Sequence, residues 1–350
     1  MSDAMTLFSQ ALEQLRLAAV NVPGLTDLAD APFLFRPLVM VVLLGVVAGV
    51  IGVIVNLRSA EFSAEAMVHA VFPGIVAGAV YWGIDAIIPA ASVVAVAAAV
   101  VLTIVSHRSH RGEASEAGTA VVLTSFFSIG LILSLAKGDM SGQLEALMFG
   151  RLLEVTDARL AQALIVCAVA LLLIMATWKE QVAYAFDRTG ARASGLRLLA
   201  LDLVLNTAIA AAVVSASTAV GILLVIGYLV IPGATARILA SRVRTMVLVA
   251  IAVGVGGGYL GMLLMALPET LDKPISPQAT VALVMTGILL LAVGVSTARE
   301  WMGRIRHRAQ SAQPVTVAAT STTAHATADR VGGPEDSVSG VTPAAERSQV

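Results

Sequence analysis

The chain has 350 residues, of which 58% are hydrophobic and 13% charged, with a formal net charge of -1 and a mean hydropathy of +0.89. Soluble domains carry about 25% charged residues, so this composition excludes a soluble globular protein and points to a polytopic membrane protein; no basic footprint for nucleic acid is present. Cys167 is the single cysteine, which excludes an internal disulfide and a thiolate metal cluster.

Residues 1–36 place Asp3, Glu13, Asp27 and Asp30 ahead of the first long apolar run. A secretory signal has a basic start and a short apolar core instead, so no cleaved signal is expected. Phe8, Leu12, Leu15 and Ala19 recur at helical spacing, which makes this arm either an amphipathic helix in the membrane interface or a loosely ordered tail.

Apolar runs of about 18 to 22 residues, enough to cross a hydrocarbon core roughly 30 Å thick, fall at 38–57, 67–84, 87–105, 118–136, 160–177, 246–267 and 276–297. The stretch 198–241 is too long for one crossing at about 1.5 Å per residue and must reverse near Ser215 to Gly221. The expected fold is an all-α polytopic transmembrane helical bundle of nine spans, or eight if 220–236 is re-entrant. Its parts are an N-terminal arm over 1–36, a transmembrane domain over 37–300 and a disordered cytoplasmic tail over 301–350. After Arg308 the composition turns to Ser, Thr, Ala, Gly and Pro, which cannot bury a core.

Positive charge orients the bundle. Arg58, then Arg108 and Arg111, then Lys179, Arg188, Arg192 and Arg197, then Arg237, Arg242 and Arg244, then Arg299, Arg304, Arg306 and Arg308 all follow odd-numbered spans. Those loops are expected in the cytoplasm and the N-terminus outside. Small residues four apart, Gly45 with Gly49, Gly74 with Gly78 and Gly257 with Gly261, are read as close-packing positions between helices.

The chemistry-bearing stretch is EFSAEAMVHAVFPGIVAG, Glu61 to Gly78. If it is helical, Glu65 and His69 lie on one face a turn apart and can address one ion. A carboxylate and an imidazole suit a first-row divalent metal; an interfacial pair satisfied by water or backbone is the competing reading. Asp202 is the other acid inside a span and is expected to pair with Arg197 near the cytoplasmic end, in a structural role. Pro232 and Gly233 are expected to break the helix, followed by a short basic turn carrying Arg237, Arg242 and Arg244.

Several motifs in order carry a family resemblance: Arg58; Glu65 and His69 with Pro73 and Gly74; LMFGRLLEV at 147–155; Phe186 and Asp187; and Val220 and Gly221 with IPGATARILA from Ile231. Together they resemble the permease subunit of zinc, manganese and iron-type ABC importers over roughly residues 38–298. Two positions depart from the family pattern, Glu65 where Asp is usual and Gly233 where Ala is usual.

The resemblance implies a permease that moves a divalent metal ion across a bacterial cytoplasmic membrane. It implies Glu65 and His69 as metal ligands, and Asp187, Pro232, Gly233, Ala234 and Arg237 as the coupling segments toward the ATPase. It also implies two cytoplasmic ATP-binding subunits, an extracytoplasmic metal-binding protein and a permease dimer, with no permanently bound cofactor. The chain has no G-x-x-x-x-G-K-[ST] phosphate loop, so ATP is expected to be hydrolysed by the partner and the chain itself to be no enzyme. The runner-up is a permease for iron chelates or cobalamin, which needs neither Glu65 nor His69. A secondary transporter or intramembrane enzyme stands third, since the first half holds no matching broken helix.

Overall fold

The computed structural model describes residues 2–108, 112–136, 150, 152–217, 219–266 and 276–311. Among these residues the secondary structure is helical throughout. In order the helices are α1 (Ser2–Val20), α2 (Thr26–Ala29), α3 (Pro32–Leu57), α4 (Glu61–Ala70), α5 (Phe72–Ala77), α6 (Ile87–Arg108), α7 (Gly112–Leu135), α8 (Asp157–Ala176), α9 (Trp178–Phe186), α10 (Arg188–Ala193), α11 (Leu198–Ser217), α12 (Ile222–Leu239), α13 (Val243–Ala266) and α14 (Pro277–Ser311). Residues 1–302 form one unit. In the second, 303–350, residues 303–311 are helical, so the disordered tail expected from residue 301 does not begin before Ser311, and beyond that point it lies outside the described residues.

Among the described residues eight helices are long and apolar enough to cross a membrane, the second candidate span running from Glu61 to Trp82 through α4, α5 and a terminal π turn. The ninth, α12, has 18 residues and so reaches about 27 Å at 1.5 Å per residue. The reversal expected near Ser215 to Gly221 is present: α11 ends at Ser217, and Gly221, at φ 85°, starts α12.

Polar contacts gather at the two ends of the bundle, and α12 runs from one to the other. At one end the Arg36 guanidinium, near the start of α3, pairs with Asp157 at the start of α8, and Asp85 pairs with Arg159 at 3.3 Å. There too Gln278 of α14 donates to Gly150 O at 2.7 Å, and Gly150 itself lies against the Val220–Gly221 turn that begins α12. At the other end Arg58, His107 and Asp202 meet, and Arg237 in the last turn of α12 donates to Asn56 O at the end of α3 at 2.7 Å. Helices running alternately between the two ends satisfy both sets of contacts, and the arginine-rich end is the one expected in the cytoplasm.

The core is made by α3, α4, α5, α11 and α12, with α13 laid along α3. Gly45 and Gly49 allow that approach: a Cβ on Gly45 would lie 2.6 Å from Val255 N, and one on Gly49 2.7 Å from Ile251 N. Gly74 and Gly78 admit α6 in the same way, so the small-residue spacing is packing.

The N-terminal arm is a helix. Phe8, Leu12 and Ala19 pack on the core, and Leu15 stays exposed. Ser9 donates to Asp157 at 3.0 Å and Arg16 to Ala29 O at 2.9 Å, which tie α1 to the start of α8 and to α2.

Two expectations are corrected. Pro232 and Gly233 do not break the helix; α12 continues through them to Leu239, and the chain turns extended only at Ala240. Proline is more frequent in membrane helices than in soluble ones, and this stretch of α12 is held against α3, where Asn56 Nδ2 donates to Val230 O at 3.4 Å. Arg237 therefore sits in the helix, and Arg242 and Arg244 flank the start of α13. The second correction concerns Asp202, whose partner is Arg58 rather than Arg197, because α3 ends beside the start of α11.

Candidate functional site

The segment 61–70 folds as α4, so Glu65 and His69 do lie one turn apart on a common face. Most of this helix is enclosed by α6, α7, α11 and α12, and Ala64, Ala66, Met67, Val68 and Ala70 are buried. The two candidate ligands differ from those neighbours: Glu65 is exposed and His69 half-buried.

The His69 ring stands edge-on to Phe127 of α7, with centroids 5.2 Å apart and planes at 83°. Phe127 also packs on Phe72 at 5.1 Å, so an aromatic pair fixes the imidazole plane. His69 Nδ1 is buried and has no hydrogen-bond partner among the described residues. A buried polar nitrogen without a partner is costly in a native interior, so this one is a group whose bonding within the bundle is incomplete. Among the described residues no third His, Cys, Asp or Glu joins Glu65 and His69. Two protein donors with the remaining positions left to water or a second set of residues suit capture and release better than a closed four-ligand site.

The corner after α3 is built tightly. Arg58 N donates to Ile54 O at 3.0 Å and Ala60 N to Val55 O at 2.9 Å. Between them Ser59 has φ 51°, the one positive-φ residue other than glycine among the described residues. L-residues enter this region rarely, and here it turns the chain back within three residues so that α4 starts at Glu61.

Arg58 also organises a polar cluster that sequence reading did not assemble. Its Nη1 donates to Gln181 Oε1 at 2.7 Å, its Nη2 pairs with Asp202, and its guanidinium carbon lies 4.0 Å from the Tyr184 ring centroid. Gln181 is fully buried and donates onward to Leu201 O at 2.9 Å. Burial pushes the Tyr184 hydroxyl above its ordinary range, with Asp202 adding to the effect. It therefore keeps its proton and donates to Asp202 Oδ2 at 3.4 Å. Gln181 and Tyr184 recur three apart in WKEQVAYAF, a spacing that marks one helix face but does not name its partner.

The family model described as the ABC 3 transport family matches residues 30–296. The chain belongs to this family. It is 32% identical over 239 residues to the manganese transport system membrane protein MntC of Listeria monocytogenes, covering 68% of this chain and 83% of that protein. The chelated iron transport system membrane protein YfeC of Yersinia pestis is 30% identical over 212 residues, covering 61% and 70%. Among solved structures, PsaBC from Streptococcus pneumoniae in complex with Fab superposes with a TM-score of 0.65 at 25% identity, over 77% of this chain and 94% of that one. An inward-facing putative metal-chelate type ABC transporter gives 0.59 at 10% identity, over 84% and 99%, and shows the fold alone.

In this ABC 3 family chain the residues expected to face an ATPase fall into two groups. Asp187 caps α10, its carboxylate accepting from Thr189 N at 3.0 Å and Gly190 N at 2.9 Å. Phe186 beside it is exposed, as are Arg237, Ile238 and Leu239 at the end of α12. Pro232 and Gly233 are buried and Ala234 half-buried. A Cβ on Gly233 would overlap the Gly52 carbonyl of α3 and lie 2.6 Å from Asn56 Nδ2. Pro232 and Gly233 are thus helix-packing residues, and the accessible surface lies a turn beyond them. Of the motif LMFGRLLEV, 147–149 and 151 lie outside the described residues, while Gly150, at φ 78°, packs against the turn that begins α12.

Proposed function

We propose that the chain is the membrane-spanning permease subunit of an ABC importer that moves a divalent metal ion, manganese or ferrous iron, into the bacterial cytoplasm. The observation that carries this is the unpartnered, buried Nδ1 of His69 one turn from the exposed carboxylate of Glu65, inside a chain of the ABC 3 transport family. The relative named for manganese transport favours that ion, and the one named for chelated iron transport keeps iron among the candidates.

Energy comes from a separate ATP-binding subunit that docks on the cytoplasmic end around Phe186 to Arg197 and Arg237 to Arg244, and an extracytoplasmic binding protein delivers the ion. The chain itself catalyses no reaction and holds no resident cofactor. A second copy of the chain covers the Glu65 face of α4, because an acid exposed along a membrane helix is rarely left against lipid. The two copies then supply two carboxylates and two imidazoles to the ion.

Reconstitution with the cognate ATPase and binding protein in proteoliposomes tests the reading. ATP-dependent uptake of Mn2+ that is lost in His69→Ala is the expected result. Uptake of an iron chelate, insensitive to His69→Ala, would favour the chelate permease instead.

A further inference from the structure

We propose that the corner between α3 and α4, Arg58 to Ala60, is the joint through which the ATPase-facing segments set the position of the metal-binding helix, with Arg58 and Asp202 as its positioning residues. This rests on the metal-permease reading of Glu65 and His69. Three elements converge on one side of the corner. Gln181 and Tyr184 come from α9, which leads directly into the Asp187-capped α10; Asp202 comes from α11 and His107 from α6, its Nδ1 3.3 Å from the Asp202 carboxylate.

The opposite side of the same corner is fastened to α12. Asn56 Nδ2 donates to Val230 O at 3.4 Å, and Arg237 returns a hydrogen bond to Asn56 O at 2.7 Å. Both exposed cytoplasmic segments, at Phe186 and at Arg237 to Leu239, therefore reach the last turn of α3 through side chains.

From that turn the chain passes to α4 with no slack. Ser59 holds the left-handed conformation, Glu61 begins the helix, and Glu65 follows one turn later. Movement of α9 or α12 against the corner rotates α4 and the two ligands with it.

The chemistry of the cluster suits position more than stability. A buried ion pair is weak evidence for stability because desolvation offsets its attraction. A guanidinium, by contrast, presents a planar fork with fixed directions, so one side chain holds two elements in register. Arg58 is used in that way, one nitrogen on α9 and one on α11, with its face on Tyr184. Lysine, a point charge on a flexible stem, keeps the attraction to Asp202 and loses the second direction.

The complete transporter in proteoliposomes, with Mn2+ as the probe, provides the test, reading ions imported per ATP hydrolysed in the same vesicles. Arg58→Lys and Asp202→Asn are expected to insert, to bind Mn2+ as the wild type does and to hydrolyse ATP, while importing about tenfold fewer ions per ATP, within the usual range of coupling between sites. Arg58→Ala tests the same joint more severely, and Arg58→Lys decides the matter if the alanine variant does not fold. An unchanged ratio in Arg58→Lys, or a lower yield of folded transporter at an unchanged ratio, overturns the proposal.

A second readout needs no metal. Spin labels at Phe62 on α4 and Val93 on α6, in a Cys167→Ala background, should change separation when ATP is added to the wild type and not to Arg58→Lys. The same change in both also overturns the joint. Wild-type vesicles that import no Mn2+ would instead overturn the functional reading, and the label distances would still report on the joint.

Discussion

Arg237 donates to the main-chain carbonyl of Asn56 at 2.7 Å, so the last turn of α12 is fastened to the last turn of α3 across 181 positions of sequence. That bond ties the basic cytoplasmic segment to the helix whose next turn leads to Glu65 and His69. It is also a bond that hydropathy cannot show, since both residues read as ordinary span ends.

The ligand pair gives the most direct prediction. His69→Ala and Glu65→Gln should each lower Mn2+ uptake by more than the roughly 10- to 100-fold that loss of an outer-shell partner costs a metal site, with insertion and ATPase binding retained. Glu65→Asp keeps the carboxylate and should keep transport. Uptake assays on purified, reconstituted variants decide this, and wild-type rates in His69→Ala would return Glu65 and His69 to an interfacial pair.

Gly233 should behave as a packing residue. A Cβ there meets the Gly52 carbonyl and Asn56 Nδ2, and overpacking of this kind costs about 1–3 kcal/mol. Gly233→Leu is expected to lower the thermal unfolding temperature in detergent as well as transport. Ile238→Glu, on the exposed last turn, should leave that temperature unchanged and weaken ATPase binding. Equal stability of Gly233→Leu and the wild type would contradict the packing.

Asp187→Ala removes the side-chain oxygen that accepts from both Thr189 N and Gly190 N at the start of α10, and losing such a cap costs about 0.5–2 kcal/mol. Because α10 has only six residues, faster amide exchange over 188–193 is expected, while Asp187→Asn should stay close to the wild type. Hydrogen-exchange mass spectrometry distinguishes the two, and unchanged exchange in Asp187→Ala would show that the cap is dispensable.

Orientation can be read by labelling single cysteines in a Cys167→Ala background. Glu154→Cys should react with an impermeant thiol reagent added outside intact cells, and Arg192→Cys only after the membrane is opened. The reverse pattern would invert the bundle.

Much of this was legible without coordinates, for local reasons. Run lengths near the width of the hydrocarbon core and the reversal at Ser215 to Gly221 located the crossings, because hydropathy acts residue by residue. The order of short motifs from Arg58 to the IPGATARILA segment marked the family. The four-residue spacing of Glu65 and His69 was also sound, since α4 is helical there.

What only the tertiary structure decided is who meets whom. Asp202 looked nearest to Arg197 in sequence but pairs with Arg58, because α3 ends beside the start of α11. Pro232 looked like a helix end but lies inside α12, which runs on to Leu239 packed against the last turns of α3. The unpartnered nitrogen of His69 depends on Phe127 and on the enclosure of α4 by other helices. Hydropathy and spacing are properties of neighbouring residues, whereas the energy of a polar group inside a membrane bundle depends on its partners, and packing between helices far apart in sequence chooses them.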